Sequence, residues 1–212
     1  MFNIKKYNEI NNLIRNQGKS TKIIAISKNH QVSKIEAAVS HGLKIFGENR
    51  VQEAGQKFDR DFKIKNSIKL HLTGPLQTNK VKQALEIFDV FHTLDREKLV
   101  KEFSKYPNKL QNKSFFIQVN TGKELTKSGI FPEQTKGFIK FCHAHNIKNL
   151  LGLMCIPPIN ESPKKHFELL EGLSKDSGLG GLSIGMSSDY LDALSFNPMY
   201  IRLGTILFGN RE

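Results

Sequence analysis

Short apolar runs alternate with amphipathic stretches along the whole chain. The first run, Lys22-Ile-Ile-Ala-Ile-Ser27, has no polar residue between its ends. An unbroken run of this length predicts a strand buried on both faces, as in a parallel sheet. Ser33-Lys-Ile-Glu36 has the spacing of a capping box and predicts a helix start, with Gly42 as its stop. Further strands are predicted at 43–46, 68–72, 90–94, 114–119, 150–155, 182–185 and 200–208. Between them Val51, Ala54 and Phe58, then Val81, Ala84, Leu85 and Phe88, recur at helical spacing. Asp95 is placed to cap a helix bearing Leu99 and Phe103. Pro132 suits the first turn of a helix burying Phe138, Ile139 and Cys142, and Ser162-Pro163 opens one with Phe167, Leu170 and Leu173. A short helix follows at 189–194. Eight strands with seven helices between them predict an α/β fold with a parallel sheet. The count favours a closed (β/α)8 barrel over an open doubly wound sheet. An amphipathic N-terminal segment over 1–17, with Ile10, Leu13 and Ile14, supplies the eighth cover. No linker or low-complexity stretch interrupts the series, so one domain over 1–212 is expected.

Composition narrows the classes. A chain of 212 residues with 38% hydrophobic and 25% charged positions buries a core and is too apolar for disorder. Mean hydropathy is −0.39 and no apolar run is long enough to cross a bilayer, so no membrane partner is expected. The N-terminus lacks the apolar core of a signal peptide. Cys142 and Cys155 have no metal or redox spacing, which fits a reducing, cytoplasmic compartment. The net charge of +12 invites a nucleic-acid reading. Only six of the positive charges are arginines, and the 26 lysines are spread along the chain. Sequence-reading proteins concentrate arginine forks on one element, so a solvated lysine-rich surface, without a specific nucleic-acid partner, is the expectation.

Barrels of this kind carry their chemistry at the carboxyl ends of the strands. Strand 1 ends in Ile26-Ser-Lys28. A lysine there either snorkels to solvent or presents a partly desolvated amine, the form that condenses with carbonyls. Asn49 and His71 lie at the ends of strands 2 and 3, where a capped turn is the plainer reading of each. Strand 7 runs into Gly185-Met-Ser187 and strand 8 contains Arg202-Leu-Gly-Thr205. Gly185, Ser187, Gly204 and Thr205 offer accessible amides and hydroxyls, the makings of a phosphate nest, or else of two tight turns. An amine, a phosphate nest and an arginine between them match one cofactor, pyridoxal phosphate, which carries an aldehyde and a phosphate.

The motifs Ala25-Ile-Ser-Lys28, Phe46-Gly-Glu-Asn-Arg-Val-Gln-Glu53, His71-Leu-Thr-Gly-Pro-Leu-Gln-Thr-Asn-Lys80, Lys127-Ser-Gly-Ile130, Gly152-Leu-Met154, Leu182-Ser-Ile-Gly-Met-Ser187 and Ile201-Arg-Leu-Gly-Thr-Ile-Leu-Phe-Gly209 follow one another in order. Together they resemble the YggS/PROSC family, the pyridoxal phosphate homeostasis proteins, over essentially the whole chain. The resemblance implies a single (β/α)8 TIM barrel of the alanine-racemase kind, pyridoxal phosphate fold type III. It implies Lys28 as the Schiff-base lysine, with Ser187, Gly204 and Thr205 on the phosphate and Arg202 facing the pyridine nitrogen. Asn49 and His71 would line the ring side, with Met154 packed nearby. The run Asn197-Pro-Met199 departs from the family's usual Gly-Ser/Thr-Thr and leaves its local turn open.

A guanidinium only donates hydrogen bonds, so a ring nitrogen beside Arg202 accepts and stays unprotonated, which makes the ring a poorer electron sink. No second domain bringing an opposing tyrosine is expected. The expectation is therefore a monomeric cofactor carrier without robust catalysis, releasing pyridoxal phosphate to the vitamin B6 pool or to apo-enzymes. An amino-acid racemase-like enzyme is the alternative. Lys127, in the loop after strand 5, either helps attract phosphate or is a mobile surface lysine. His143 and His145 diverge on a helix and suggest no metal site.

Overall fold

A computed structural model describes residues 2–209; Met1 and residues 210–212, which the expected domain bounds include, lie outside the described residues. Eight parallel strands close into a barrel in chain order: β1 (Lys22–Ile26), β2 (Ile45–Glu48), β3 (Lys69–Leu72), β4 (Val90–Leu94), β5 (Ser114–Gln118), β6 (Leu150–Met154), β7 (Gly181–Ser183) and β8 (Tyr200–Leu203). β8 returns to β1 with Ala25 opposite Leu203. Helices α1 (Ile4–Asn16), α2 (Val32–Ser40), α3 (Val51–Lys57), α4 (Arg60–Asn66), α5 (Val81–Ile87), α6 (Glu97–Ser104), α7 (Pro107–Leu110), α8 (Thr135–Ala144), α9 (Pro163–Ser177), α10 (Tyr190–Leu194) and α11 (Thr205–Phe208) cover it.

Strand alternation divides the apolar residues between two cores. Ile23, Ala25, Phe46, Leu70, Leu72 and Phe91 face the helices, while Ile24, Val90, Phe116, Met154 and Tyr200 fill the lumen. Phe91 packs with its ring centroid 5.0 Å from Phe103 and 5.3 Å from Phe115; burying each such ring stabilises by about 1.5–3 kcal/mol. β6 and β7 approach closely because Gly152 and Gly181 face each other, and a Cβ on Gly152 would fall 1.7 Å from the Gly181 carbonyl oxygen. α1 buries Ile10 and Ile14, is capped by Asn3, and is tied to α11 by the Asn3 amide donating to the Leu207 carbonyl at 2.7 Å.

The structure moves several predicted boundaries. β8 stops at Leu203: Gly204 adopts φ −112°, ψ −85°, and 205–208, whose continuous apolar run reads as strand, turns into α11. α2 begins at Val32 behind Gln31, which puts Ser33 inside the first turn rather than at the cap. Asp95 spends its carboxylate on Arg96 at 2.5 Å, and Arg96 is the N-cap of α6. α4 was not expected; Asp59 caps it through the Phe62 amide at 2.8 Å, and it buries no residue, so no apolar periodicity announces it. In the Asn197-Pro-Met199 run, Asn197 takes a left-handed φ of +47°, a conformation asparagine tolerates. The turn is secured by the Thr21 hydroxyl on the Pro198 carbonyl at 2.6 Å and the Lys22 amide on the Met199 carbonyl at 2.9 Å.

Candidate cofactor site

β1 delivers Lys28 half-buried at its carboxyl end, and the residues on either side of it are fastened from below. The Ser27 hydroxyl donates to Glu48 Oε1 at 2.7 Å. Lys57 on α3 donates to the Ser27 carbonyl at 2.8 Å, to Glu48 Oε1 at 3.2 Å and to Glu53 Oε1 at 2.6 Å. The Asn29 amide donates to Glu53 at 2.5 Å, and Asn29 turns the chain with a left-handed φ of +61°. Glu48 is fully buried; burial pushes its carboxyl above the ordinary range against the pull of Ser27 and Lys57, and its Oε2 has no partner among the described residues. Burial also acts to raise Glu53, but the bonds from Lys57 and Asn29 outweigh it and hold that carboxyl below its usual value.

Arg202 enters the lumen from β8 and is 5% exposed. Its Nη1 donates to the Ser183 carbonyl at 2.7 Å and to Ser183 Oγ at 2.9 Å, and its Nη2 donates to the Cys155 carbonyl at 2.9 Å. Three of the five guanidinium N–H groups are thus committed to β7 and to the end of β6. Nε–H and one Nη2–H remain for an acceptor. Ser183 Oγ also lies 2.9 Å from His92 Nδ1, and His92 Nε2 lies 2.9 Å from His71 Nδ1.

The exits of β7 and β8 form a hollow lined by small residues. Gly185 has φ +86°, and a Cβ there would fall 2.6 Å from that of Ala193. The Met186 amide donates to Asp189 at 2.5 Å, and the Arg202 amide donates to the Gly185 carbonyl at 2.8 Å. The Gly204 amide reaches Ser187 Oγ at 3.4 Å. Thr205, exposed, starts α11, where its amide has no intrahelical acceptor. Register brings this hollow beside the end of β1: a Cβ on Gly204 would lie 3.5 Å from Ile26 Cβ, two residues before Lys28. The donor set suits an anion flanked by an amine.

The other predicted residues are placed as follows. Asn49 is half-buried and its Oδ1 accepts the Thr73 hydroxyl at 3.0 Å; Arg50, not Asn49, caps α3. Met154 and His71 are fully buried in the lumen. Lys127 pairs with Glu124 at 2.8 Å in the loop after β5. Among the described residues no cluster of His, Cys, Asp or Glu is arranged for a metal. Sequence reading did not single out Ser183, His92, Glu48 or Lys57. The signal available was parity: His92 and Ser183 share the lumen-facing set of their strands, and Lys57 stands four residues after Glu53, one helical turn away.

The closed parallel barrel has the fold of alanine racemase, and the family model "Alanine racemase, N-terminal domain" matches residues 5–212. The chain belongs to the family of pyridoxal phosphate homeostasis proteins: it is 36% identical to the member from Aquifex aeolicus, with 90% of this chain and 87% of that one covered. It is 32% identical to the Synechocystis member over the full length of both. Among solved structures, PipY of Synechococcus elongatus with pyridoxal phosphate (PLP) bound is 30% identical, with a TM-score of 0.74, covering 90% of this chain and 93% of that one. Alanine racemase of Clostridium difficile shares the fold at a TM-score of 0.74 and 13% identity, with 56% of that chain covered.

Proposed function

We propose that this chain binds pyridoxal 5′-phosphate as a Schiff base on Lys28. It holds the cofactor as a monomeric, single-domain carrier in the cytoplasm and releases it to the vitamin B6 pool or to apo-enzymes. The observation that carries this reading is the β1–β8 register, which sets the half-buried Lys28 exit beside the Ser187–Gly204–Thr205 hollow with Arg202 anchored below. The relatives' names and the PLP-bound PipY structure support the same reading. The cofactor supplies an aldehyde that condenses with an amine.

This chain's residues do the rest. The Glu48–Lys57–Glu53 network fixes the backbone on both sides of Lys28. The amides and hydroxyls of Ser187, Gly204 and Thr205 receive the phosphate, and the uncommitted N–H groups of Arg202 face the ring nitrogen. Asn49 lies toward the ring, with Met154 packed nearby, while His71 lies deeper in the lumen against Tyr200. Because a guanidinium donates and does not accept, Arg202 keeps that nitrogen unprotonated, which suits storage better than carbanion chemistry.

Visible absorbance tests the reading. A yellow band appears when pyridoxal phosphate is added to the wild-type chain and is absent with Lys28→Ala. An undiminished band in Lys28→Ala overturns the lysine assignment. Conversion of L-alanine to its enantiomer faster than free cofactor alone would replace the carrier with a racemase.

A further inference from the structure

Four polar side chains thread the lumen below the site in series, and their hydrogen bonds have a direction. Arg202 Nη1 donates to Ser183 Oγ, so that oxygen accepts on its arginine side. The single Ser183 hydroxyl proton has one remaining partner, His92 Nδ1 at 2.9 Å. His92 then carries its own proton on Nε2, facing His71 Nδ1 at 2.9 Å. His71 in turn carries its proton on Nε2. The reverse sense would bury the Ser183 proton without an acceptor, so the arginine sets the tautomer of both rings.

The series ends on an unmet donor. His71 is 0% exposed and its Nε2 has no partner among the described residues. On β3 the lumen-facing neighbour of His71, toward the strand start, is Lys69. On β1 Lys22 stands opposite Tyr200, whose ring meets His71 edge-on at 4.9 Å. Burial, with the charges of Lys69 and Lys22, keeps the His71 imidazole neutral down to about 3. Lys22 and Lys69 are themselves exposed, and neither has an ion-pair or hydrogen-bond partner for its ammonium among the described residues. The strand starts here border a cleft of about 1200 Å³ whose wall includes Lys69, Val90 and Ser114. Its carboxylates are engaged elsewhere: Asp89 with Lys63 at 3.0 Å, Glu86 with Lys109, and Asp59 as the cap of α4.

A buried N–H without an acceptor, in the field of two unpaired cations at an opening, is matched by an anion with oxygen acceptors. We propose that the amino-terminal mouth of the barrel binds a small oxyanion of the phosphate class, with His71 Nε2–H as its buried donor and Lys22 and Lys69 as counter-charges. This site lies at the opposite end of the lumen from Lys28. Bound there, the anion satisfies the last donor of the series and strengthens each bond up to Arg202, because linked hydrogen bonds polarise one another.

Ring-nitrogen NMR of the full chain, titrated with inorganic phosphate, tests the proposal. The expected result is that His71 and His92 are both protonated on Nε2, and that the His71 Nε2 signal shifts as phosphate is added. The shift is lost in Lys22→Met/Lys69→Met and kept in Ser187→Ala, which separates this site from the hollow at β7 and β8. Phosphate also raises the melting temperature of the wild type by more than that of the lysine double variant, which keeps only the hollow at β7 and β8. A matching shift with phenyl phosphate supports a monoester as the source, and a shift with inorganic phosphate alone supports the free ion. No shift, a shift surviving in the double variant, or an equal shift with chloride at matched ionic strength overturns the proposal.

Discussion

The Ser27 hydroxyl donates to Glu48 Oε1 at 2.7 Å, joining the residue just before Lys28 to a carboxylate buried on the neighbouring strand. Lys57 bonds to both residues and, through Glu53, to the amide just after Lys28. The backbone flanking Lys28 is therefore held by one ion network whose central carboxylate is shut off from water.

Lys57→Met removes the one cation paired with Glu48 among the described residues and leaves a buried charge. The expected loss is about 3–5 kcal/mol in urea unfolding. Adding Glu48→Gln removes that charge and recovers much of the loss. The pH dependence has a definite sign. The Glu48 carboxyl is already raised by burial, and losing Lys57 raises it further. A raised carboxyl favours the folded state at low pH and loses that advantage as pH climbs through its folded value. The deficit of Lys57→Met therefore widens as pH rises above the ordinary carboxylate range, and narrows below it to what the lost bond to the Ser27 carbonyl costs.

Arg202 serves three buried acceptors, the Ser183 carbonyl and hydroxyl and the Cys155 carbonyl. Arg202→Met leaves the two carbonyls without this donor and costs about 3 kcal/mol. Ser183→Ala costs less, about 1–2 kcal/mol, because the arginine keeps both carbonyls. Chemical denaturation of the two variants measures the order.

The two glycines of the hollow separate stability from binding. Gly185→Ala places a side chain on a φ of +86° and 2.6 Å from Ala193 Cβ, so it destabilises the fold by about 1–3 kcal/mol. Gly204→Ala meets only ordinary contacts, the nearest at 3.5 Å, at a negative φ. Its melting temperature stays near wild type while its affinity for pyridoxal phosphate falls, about tenfold for one lost charge-assisted contact. Calorimetry and spectral titration of the pair check both halves.

Acid stability reads His71 together with His92, which burial also holds below its ordinary value. The His71 imidazole is held near 3 against an ordinary 6.5, so its neutral state stabilises the fold fully above pH 6.5. That stabilisation is lost as pH falls through the folded value. Stability measured from neutral pH downward should decline by a few kcal/mol, and His71→Gln should show a shallower decline.

The barrel was legible because the strands are short, largely apolar runs and most of the covering helices carry a 3.6-residue stripe. Ile206-Leu-Phe208 misled because an apolar run has no period to separate strand from helix, and only the Gly204 turn decides it. α4 was invisible because it buries nothing. Of the candidate site, Lys28, Ser187, Gly204 and Thr205 are legible from their place at strand ends, and Arg202 from its place in β8. The partners that hold them could not. Ser183 meets Arg202 across β7 and β8, and His71 meets His92 across β3 and β4, pairings that depend on barrel register rather than on sequence spacing.

The binding role of Lys28 is tested most directly by loading the chain with pyridoxal phosphate, reducing it with borohydride and mapping the modified peptide by mass spectrometry. The predicted result is a pyridoxyl group on Lys28, and no trapped adduct in Lys28→Ala at equal cofactor. A pyridoxyl group on Lys127 or another lysine in place of Lys28, or an adduct that persists in Lys28→Ala, would contradict it.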